Sequence, residues 1–149
     1  MVSNPLDKEM TMLRILTLSA IAAVLSTASL PTLAQPGIRA ALLDDYRVAA
    51  RQEEPGFRDF SARRGEAFFH AKNGDVSCAS CHTDSPKQSG RHAKTGKSIE
   101  ALAPITNAQR LTDPAKVEKW FKRNCNDVLQ RACTAREKGD FIAWLVSVK

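Results

Sequence analysis

Residues 78–82 read Cys-Ala-Ser-Cys-His, and no other run in the chain constrains its fold as tightly. The Cys-x-x-Cys-His spacing is the signature of covalent haem attachment. Two thiols three residues apart can reach the two vinyl groups of one porphyrin, and the imidazole of the next residue then meets the iron from one face. Such a chain must wrap a large, flat, apolar body. Other uses of the two cysteines fit less well. A thioredoxin-like Cys-x-x-Cys needs a βαβ setting, which the pattern lacks. A zinc site needs a second matched pair, but Cys125 and Cys133 lie eight positions apart and no suitable histidine follows them. A plain disulfide between Cys78 and Cys81 leaves His82 without a role.

The N-terminal region points to export. Residues 11–34 read TMLRILTLSAIAAVLSTASLPTLA. Arg14 supplies a positive start, Ile15 to Leu25 an apolar stretch, and Thr32-Leu33-Ala34 a small-residue cleavage site, which is the pattern of a secretory signal peptide. The apolar run is shorter than the ~20 residues that span a bilayer, so no membrane span is expected after cleavage. Asp7 and Glu9 suit such a leader poorly, and Met10 or Met12 is the better start. The expected organisation is therefore a signal peptide over residues 1–34 and one mono-haem domain over residues 35–149, placed in the periplasm. The formal charge of +6 resides entirely in residues 35–149, because Lys8 and Arg14 cancel Asp7 and Glu9. A basic surface suits nucleic acid, an anionic membrane or an acidic protein; export removes nucleic acid. In an oxidising compartment the 4 cysteines would ordinarily read as two disulfides, but the motif claims Cys78 and Cys81.

The domain reads as all-helical. Ile38, Leu42, Leu43, Tyr46 and Ala50 recur at helical spacing over 38–52, and Glu53-Glu54-Pro55-Gly56 ends that helix. A second helix is expected over 59–72, with Phe60, Ala67, Phe68 and Ala71 as its apolar side. Residues 83–112 hold Pro86, Gly90, Gly96 and Pro104 and read as a long loop, of the kind that wraps something functional. Asp113 is an N-cap and Pro114 suits the first helical position. The helix they open carries Val117, Trp120 and Phe121 on one face, with Lys119, Lys122 and Arg123 at its end, where the dipole favours cations. A short helix is expected over 127–131. Thr134-Ala135-Arg136-Glu137 has the form of a capping box, opening a last helix that buries Phe141, Ile142, Trp144 and Leu145. No run reads as a strand.

Methionine is the usual sixth ligand of electron-transfer cytochromes c. Here the 3 methionines are Met1, Met10 and Met12, so none remains after residue 34. His70, His92, a lysine, an asparagine or an open position are the alternatives.

Several segments resemble the sphaeroides haem protein (SHP) family, class I cytochromes c with an asparagine as sixth ligand. They are Thr95-Gly96-Lys97-Ser98-Ile99, Leu102-Ala103-Pro104, Val117-Glu118-Lys119-Trp120 and Arg123-Asn124-Cys125-Asn126. Glu137-Lys138-x-Asp140-x-x-Ala143-Trp144-Leu145 fits as well, and Gly65-x-x-x-Phe69 resembles the first-helix contact of class I cytochromes. The resemblance spans about residues 38–147. It implies the class I cytochrome c fold, one covalent haem c, His82 as proximal and Asn124 as distal iron ligand, and a Cys125–Cys133 disulfide that closes a small loop worth roughly 2–3 kcal/mol at most. It also implies a dihaem or multihaem c-type cytochrome as electron donor.

An amide oxygen is a hard, neutral, weak donor that suits Fe(III) better than Fe(II). Loss of Asn124 on reduction is therefore expected, leaving a ferrous position for O2, NO or CO. Three classes of function compete: an electron carrier with a histidine sixth ligand, a binder of diatomic ligands, and an enzyme acting on O2, NO or peroxide. No distal acid–base pair stands out in the sequence beyond Arg91 and His92 in the long loop. No catalytic residue is assigned, and electron transfer with ligand binding is favoured over a dedicated enzyme.

Overall fold

A computed structural model describes residues 35–149; the expected signal peptide lies outside the described residues. Five helices and one tiny hairpin follow in order: α1 (Gln35–Glu53), α2 (Ala62–His70), α3 (Ala79–His82), β1 (Gly90–Arg91), β2 (Ser98–Ile99), α4 (Pro114–Leu129) and α5 (Ala135–Ser147). None of the described helices is long and apolar enough to cross a membrane.

Helix starts follow local chemistry. Ser61 caps α2 through its Oγ, which accepts from the Arg64 N–H. Asp113 caps α4 by accepting from the Lys116 N–H at 3.0 Å, and Pro114 follows. Thr134 and Glu137 form the full capping box of α5, each side chain accepting from the other's backbone N–H. Such caps satisfy amides that have no partner within the helix.

The close helix pairs are α2 with α5 and α1 with α5. The first depends on Gly65: a Cβ there would stand 2.0 Å from the Asp140 carbonyl oxygen. Asp140, buried on α5, accepts from the Ser61 N–H and from the Arg64 guanidinium, locking the same crossing. Two apolar clusters result. Leu42, Tyr46, Val117 and Ile142 form one, and Phe69, Trp144 and Leu145 the other; Leu111 packs against both. By contrast α4 is joined to the other helices by side chains rather than by close backbone approach.

Four expectations are corrected. The buried face of α2 is Gly65 and Phe69, while Ala67 and Ala71 are exposed, because the glycine admits the α5 backbone on that side. The short helix over 127–131 does not exist separately, since α4 continues unbroken to Leu129 and stops at Gln130 with φ 57°. Lys119, Lys122 and Arg123 consequently lie mid-helix, not in a last turn. Finally, the long loop contains an antiparallel pair, Gly90 opposite Ile99 and Arg91 opposite Ser98. A two-residue ladder is too short to show alternation. The rest of that loop is held by arginines: Arg39 donates to the Ala108 and Arg110 carbonyls, and Arg110 to those of Glu100 and Ala101.

Candidate haem site

The motif forms a single helical turn. The Cys81 and His82 amides both donate to the Cys78 carbonyl, at 3.3 and 3.2 Å. Cys78 itself has helical φ and ψ of −60° and −38°. Positions i, i+3 and i+4 share one helix face, so the turn carries both thiols and the imidazole on the same side. The chain then bends sharply. Thr83 adopts φ 63°, a value that a β-branched residue takes only when its surroundings impose it, and its hydroxyl donates to the Ser85 carbonyl.

Two elements hold this turn. Behind it, Cys78 and Ala79 pack against the cluster of Phe69, Trp144 and Leu145, and Phe69 lies 6.5 Å, ring to ring, from His82. On another side β1 comes so close that a Cβ on Gly90 would meet the Cys81 carbonyl oxygen at 2.0 Å and His82 Cα at 2.8 Å. Sequence reasoning did not single out Gly90 for this contact.

The donors suit a haem. Cys78 and Cys81 are both free thiols, although only three residues apart. Burial pushes the Cys78 thiol up to about 11. Burial, aided by the Arg110 charge, lowers the His82 pKa to about 4, so the ring is neutral at pH 7 and keeps a nitrogen lone pair for a metal. Among the described residues no group of three His, Cys, Asp or Glu side chains is poised to take a bare metal ion. Val76, Ile105 and Trp120, from the segment before the motif, the long loop and α4, are left 44, 65 and 46% exposed.

Asn124 lies on α4, inside the helix rather than at its end. The C-cap position is Gln130, whose N–H donates to the Asn126 carbonyl, so Asn124 does not cap the helix. Helical spacing puts it on one face with Val117, Phe121 and Val128. Val117 is buried and Phe121 and Val128 are half-buried, yet Asn124 is exposed. The next residue, Cys125, is joined to Cys133 by a disulfide with Cα atoms 5.7 Å apart. Asn73, five residues before the motif, donates from Nδ2 to the Val128 carbonyl at 2.9 Å and so ties the segment preceding Cys78 to α4.

The other histidines have local partners. His70 stands 3.8 Å from Asp84 and packs edge-on against Phe69, on the residue that also faces His82. His92 accepts the Thr95 N–H on Nδ1 in the hairpin turn.

SHP from Cereibacter sphaeroides, a cytochrome c-type protein, is 39% identical over 141 residues, which is 91% of this chain and 99% of that protein. The chain belongs to the SHP family. A family model described as a domain of unknown function (DUF1924) matches residues 55–145. Cytochrome c'' from Methylophilus methylotrophus is 39% identical over 111 residues, covering 71% of this chain and 77% of that one. Its oxidized crystal structure superposes with a TM-score of 0.69 at 36% identity, over 76% of this chain and 96% of that one. Oxidized SHP, described as an oxygen binding cytochrome c, gives 0.65 at 39% identity, over 74% of this chain and 96% of that one. This SHP-family chain is thus a haem cytochrome with the all-α cytochrome c fold and one covalent haem c.

Proposed function

We propose that this protein is a periplasmic mono-haem cytochrome c in which Asn124 is the distal iron ligand of the ferric form and is released on reduction. Release opens the ferrous form to a small diatomic ligand, O2, NO or CO, and another c-type cytochrome, dihaem or multihaem, supplies the electron. The observation that carries this reading is the placement of Asn124: a polar side chain on the apolar-facing side of α4, excused from capping, and braced by the Cys125–Cys133 bridge.

Haem c supplies a one-electron couple and a coordination position for a small ligand. Cys78 and Cys81 hold it through thioether bonds, and His82 provides the proximal nitrogen. Asn124 offers an amide oxygen, a hard neutral donor matched to Fe(III) and poorly matched to Fe(II). No methionine exists in residues 35–149 to take its place. Two likenesses support the reading: SHP is described as an oxygen binding cytochrome, and a solution structure of cytochrome c'' is described in terms of haem-ligand detachment.

The test is spectroscopic. The ferric protein is expected to be high-spin, because a neutral oxygen is a weak-field ligand, and the ferrous protein five-coordinate and reactive to CO within mixing time. Asn124→Ala should retain haem through acid–acetone extraction while opening the ferric form to azide. A ferric and ferrous protein that are both low-spin and refuse CO would instead assign the iron to a nitrogen ligand such as His70 or His92, and the protein to simple electron transfer.

A further inference from the structure

Glu118 lies on α4 six residues before Asn124. It accepts a hydrogen bond from the Tyr46 hydroxyl of α1, and both of its oxygens accept from the Lys138 ammonium of α5 at 3.0 Å. Lys138 Nζ also sits 5.5 Å over the Tyr46 ring and 6.0 Å over that of Phe121. Phe121 meets Tyr46 and Phe141 edge to face, at 6.2 and 5.8 Å between ring centres. The first half of α4 is therefore fastened to α1 and α5 by the buried Val117, by one ring and by one carboxylate, the last its polar anchor. Tyr46 is only 7% exposed, and a phenol that deep needs an acceptor; Glu118 is its partner. The second half is tied by the Cys125–Cys133 bridge and the Asn73–Val128 hydrogen bond. Asn124 stands between these two ties, one turn from Phe121 on the same face.

We propose that Glu118, gripped by Tyr46 and Lys138, is a positioning residue for Asn124: it sets the rotation and height of α4, and hence the reach of the amide. The proposal rests on the reading of Asn124 as a ligand. The Cys125 and Val128 ties both lie past Asn124, and the Val117 and Phe121 contacts before it are apolar and non-directional, so the directional hold on the helix before the amide comes from Glu118. Functional side chains must be held to within about 0.5 Å and 10–20°. A weak oxygen donor cannot pull the helix into place itself, so the scaffold must do it.

The test compares ferric holoproteins carrying covalent haem, with azide as the probe and the midpoint potential as a second readout. Glu118→Gln should bind azide about five- to tenfold faster than the parent, the scale of one charged hydrogen bond discounted for exposure. Its potential should rise, because the ferric form loses a ligand that favours it. Tyr46→Phe, which keeps the ring and removes only the hydroxyl, should move both readouts in the same direction and serves if Glu118→Gln does not accumulate. Arg136→Ala breaks the Arg136–Glu54 pair, which involves no α4 residue, and should leave both readouts at the parent values. Glu118→Gln placed in Asn124→Ala should add nothing to the azide rate. If Asn124→Ala opens the ferric form while Glu118→Gln and Tyr46→Phe behave as the parent, the positioning role is refuted and the ligand stands. If Asn124→Ala changes nothing, ligand and positioning role fall together.

Discussion

Replacing Gly90 by alanine tests how closely β1 must lie on the Cys78–His82 turn. The added Cβ would be 2.0 Å from the Cys81 carbonyl oxygen, 2.8 Å from His82 Cα and 2.9 Å from the Cys81 carbonyl carbon. An ordinary carbon–oxygen contact is near 3.3 Å, so one element must retreat by more than ~1 Å. All three obstacles are backbone atoms, and no rotamer change relieves them. Moving β1 breaks the Gly90–Ile99 pairing; moving α3 shifts His82. Overpacking of this kind costs about 1–3 kcal/mol, and the backbone clash argues for the upper end. At ~4 °C or more per kcal/mol for a domain of this size, the Tm should fall by roughly 10 °C. The assay is thermal unfolding of the purified holoprotein followed by circular dichroism. Gly74→Ala is the control: its φ of +63° penalises alanine by about 1 kcal/mol, but nothing lies within 4 Å of the new methyl. A Gly90→Ala protein that melts within a degree or two of the parent, or no lower than Gly74→Ala, would refute the contact as the reason for the glycine.

Further outcomes are expected. A non-reduced digest should contain Cys125 and Cys133 in one cross-linked species, checked by mass spectrometry; two alkylatable thiols there would contradict the bridge. The hydrogen bond from Arg131, followed by that from the Thr134 N–H, holds the Glu137 carboxyl below its ordinary 4.5 despite desolvation. A depressed carboxylate stabilises the fold above its unfolded pKa and loses that contribution as pH falls through the folded value. Glu137→Gln should therefore lower the Tm by about 4 °C at pH 7, a capping interaction of ~1 kcal/mol, and the difference should vanish in melts below the carboxylate range. Lys94, Lys97, Lys119 and Lys122 have no ion-pair partner among the described residues. If they steer an acidic donor cytochrome, stopped-flow reduction should slow steeply with salt, since exposed charges are screened beyond ~10 Å at about 0.1 M; a flat salt profile would count against it.

That Cys78, Cys81 and His82 share one face was legible because the pattern is local: three residues at i, i+3 and i+4 need only the right spacing. The caps at Asp113 and Thr134 were legible for the same reason. The extent of α4 was not. Asn124-Cys125-Asn126-Asp127 is a run of weak helix formers, and propensity alone breaks the helix there. Tertiary ties at Cys125 and Val128 carry it on for another turn. The buried face of α2 turned on a similar point. Periodicity could not choose between the equally apolar Phe68 and Phe69; the resemblance at Gly65-x-x-x-Phe69 did point to the right pair, and the approach of the α5 backbone to Gly65 is the physical reason. The Glu118 network joins residues 72 and 20 positions apart and leaves no local pattern. One signal was available: Tyr46 is the sole tyrosine and lies on the apolar face of α1, so its hydroxyl required an acceptor from elsewhere.

The division between scaffold and ligand helix bears directly on the proposed release. The helices α1 and α2 each pack on α5 at close range, and the Cys78–His82 turn is held by Phe69 of that scaffold and by Gly90 of β1. Asn124 belongs to none of these contacts. Its helix is attached along two stretches, Val117 to Phe121 and Cys125 to Val128, that flank Asn124 without including it. Dissociation of the amide therefore breaks no core contact and requires no helix to unfold. A ligand that must leave at each reduction and return at each oxidation belongs on such an element: fixed enough to be presented, and energetically separate from the packing that keeps the protein folded. If Asn124 is the proposed ligand, the same separation means that it contributes little to stability, so Asn124→Ala should change spin state and azide binding while leaving the ferrous Tm, where the amide is proposed to be detached, at the parent value. A ferrous Tm that falls with Asn124→Ala would show the side chain to be part of the core after all.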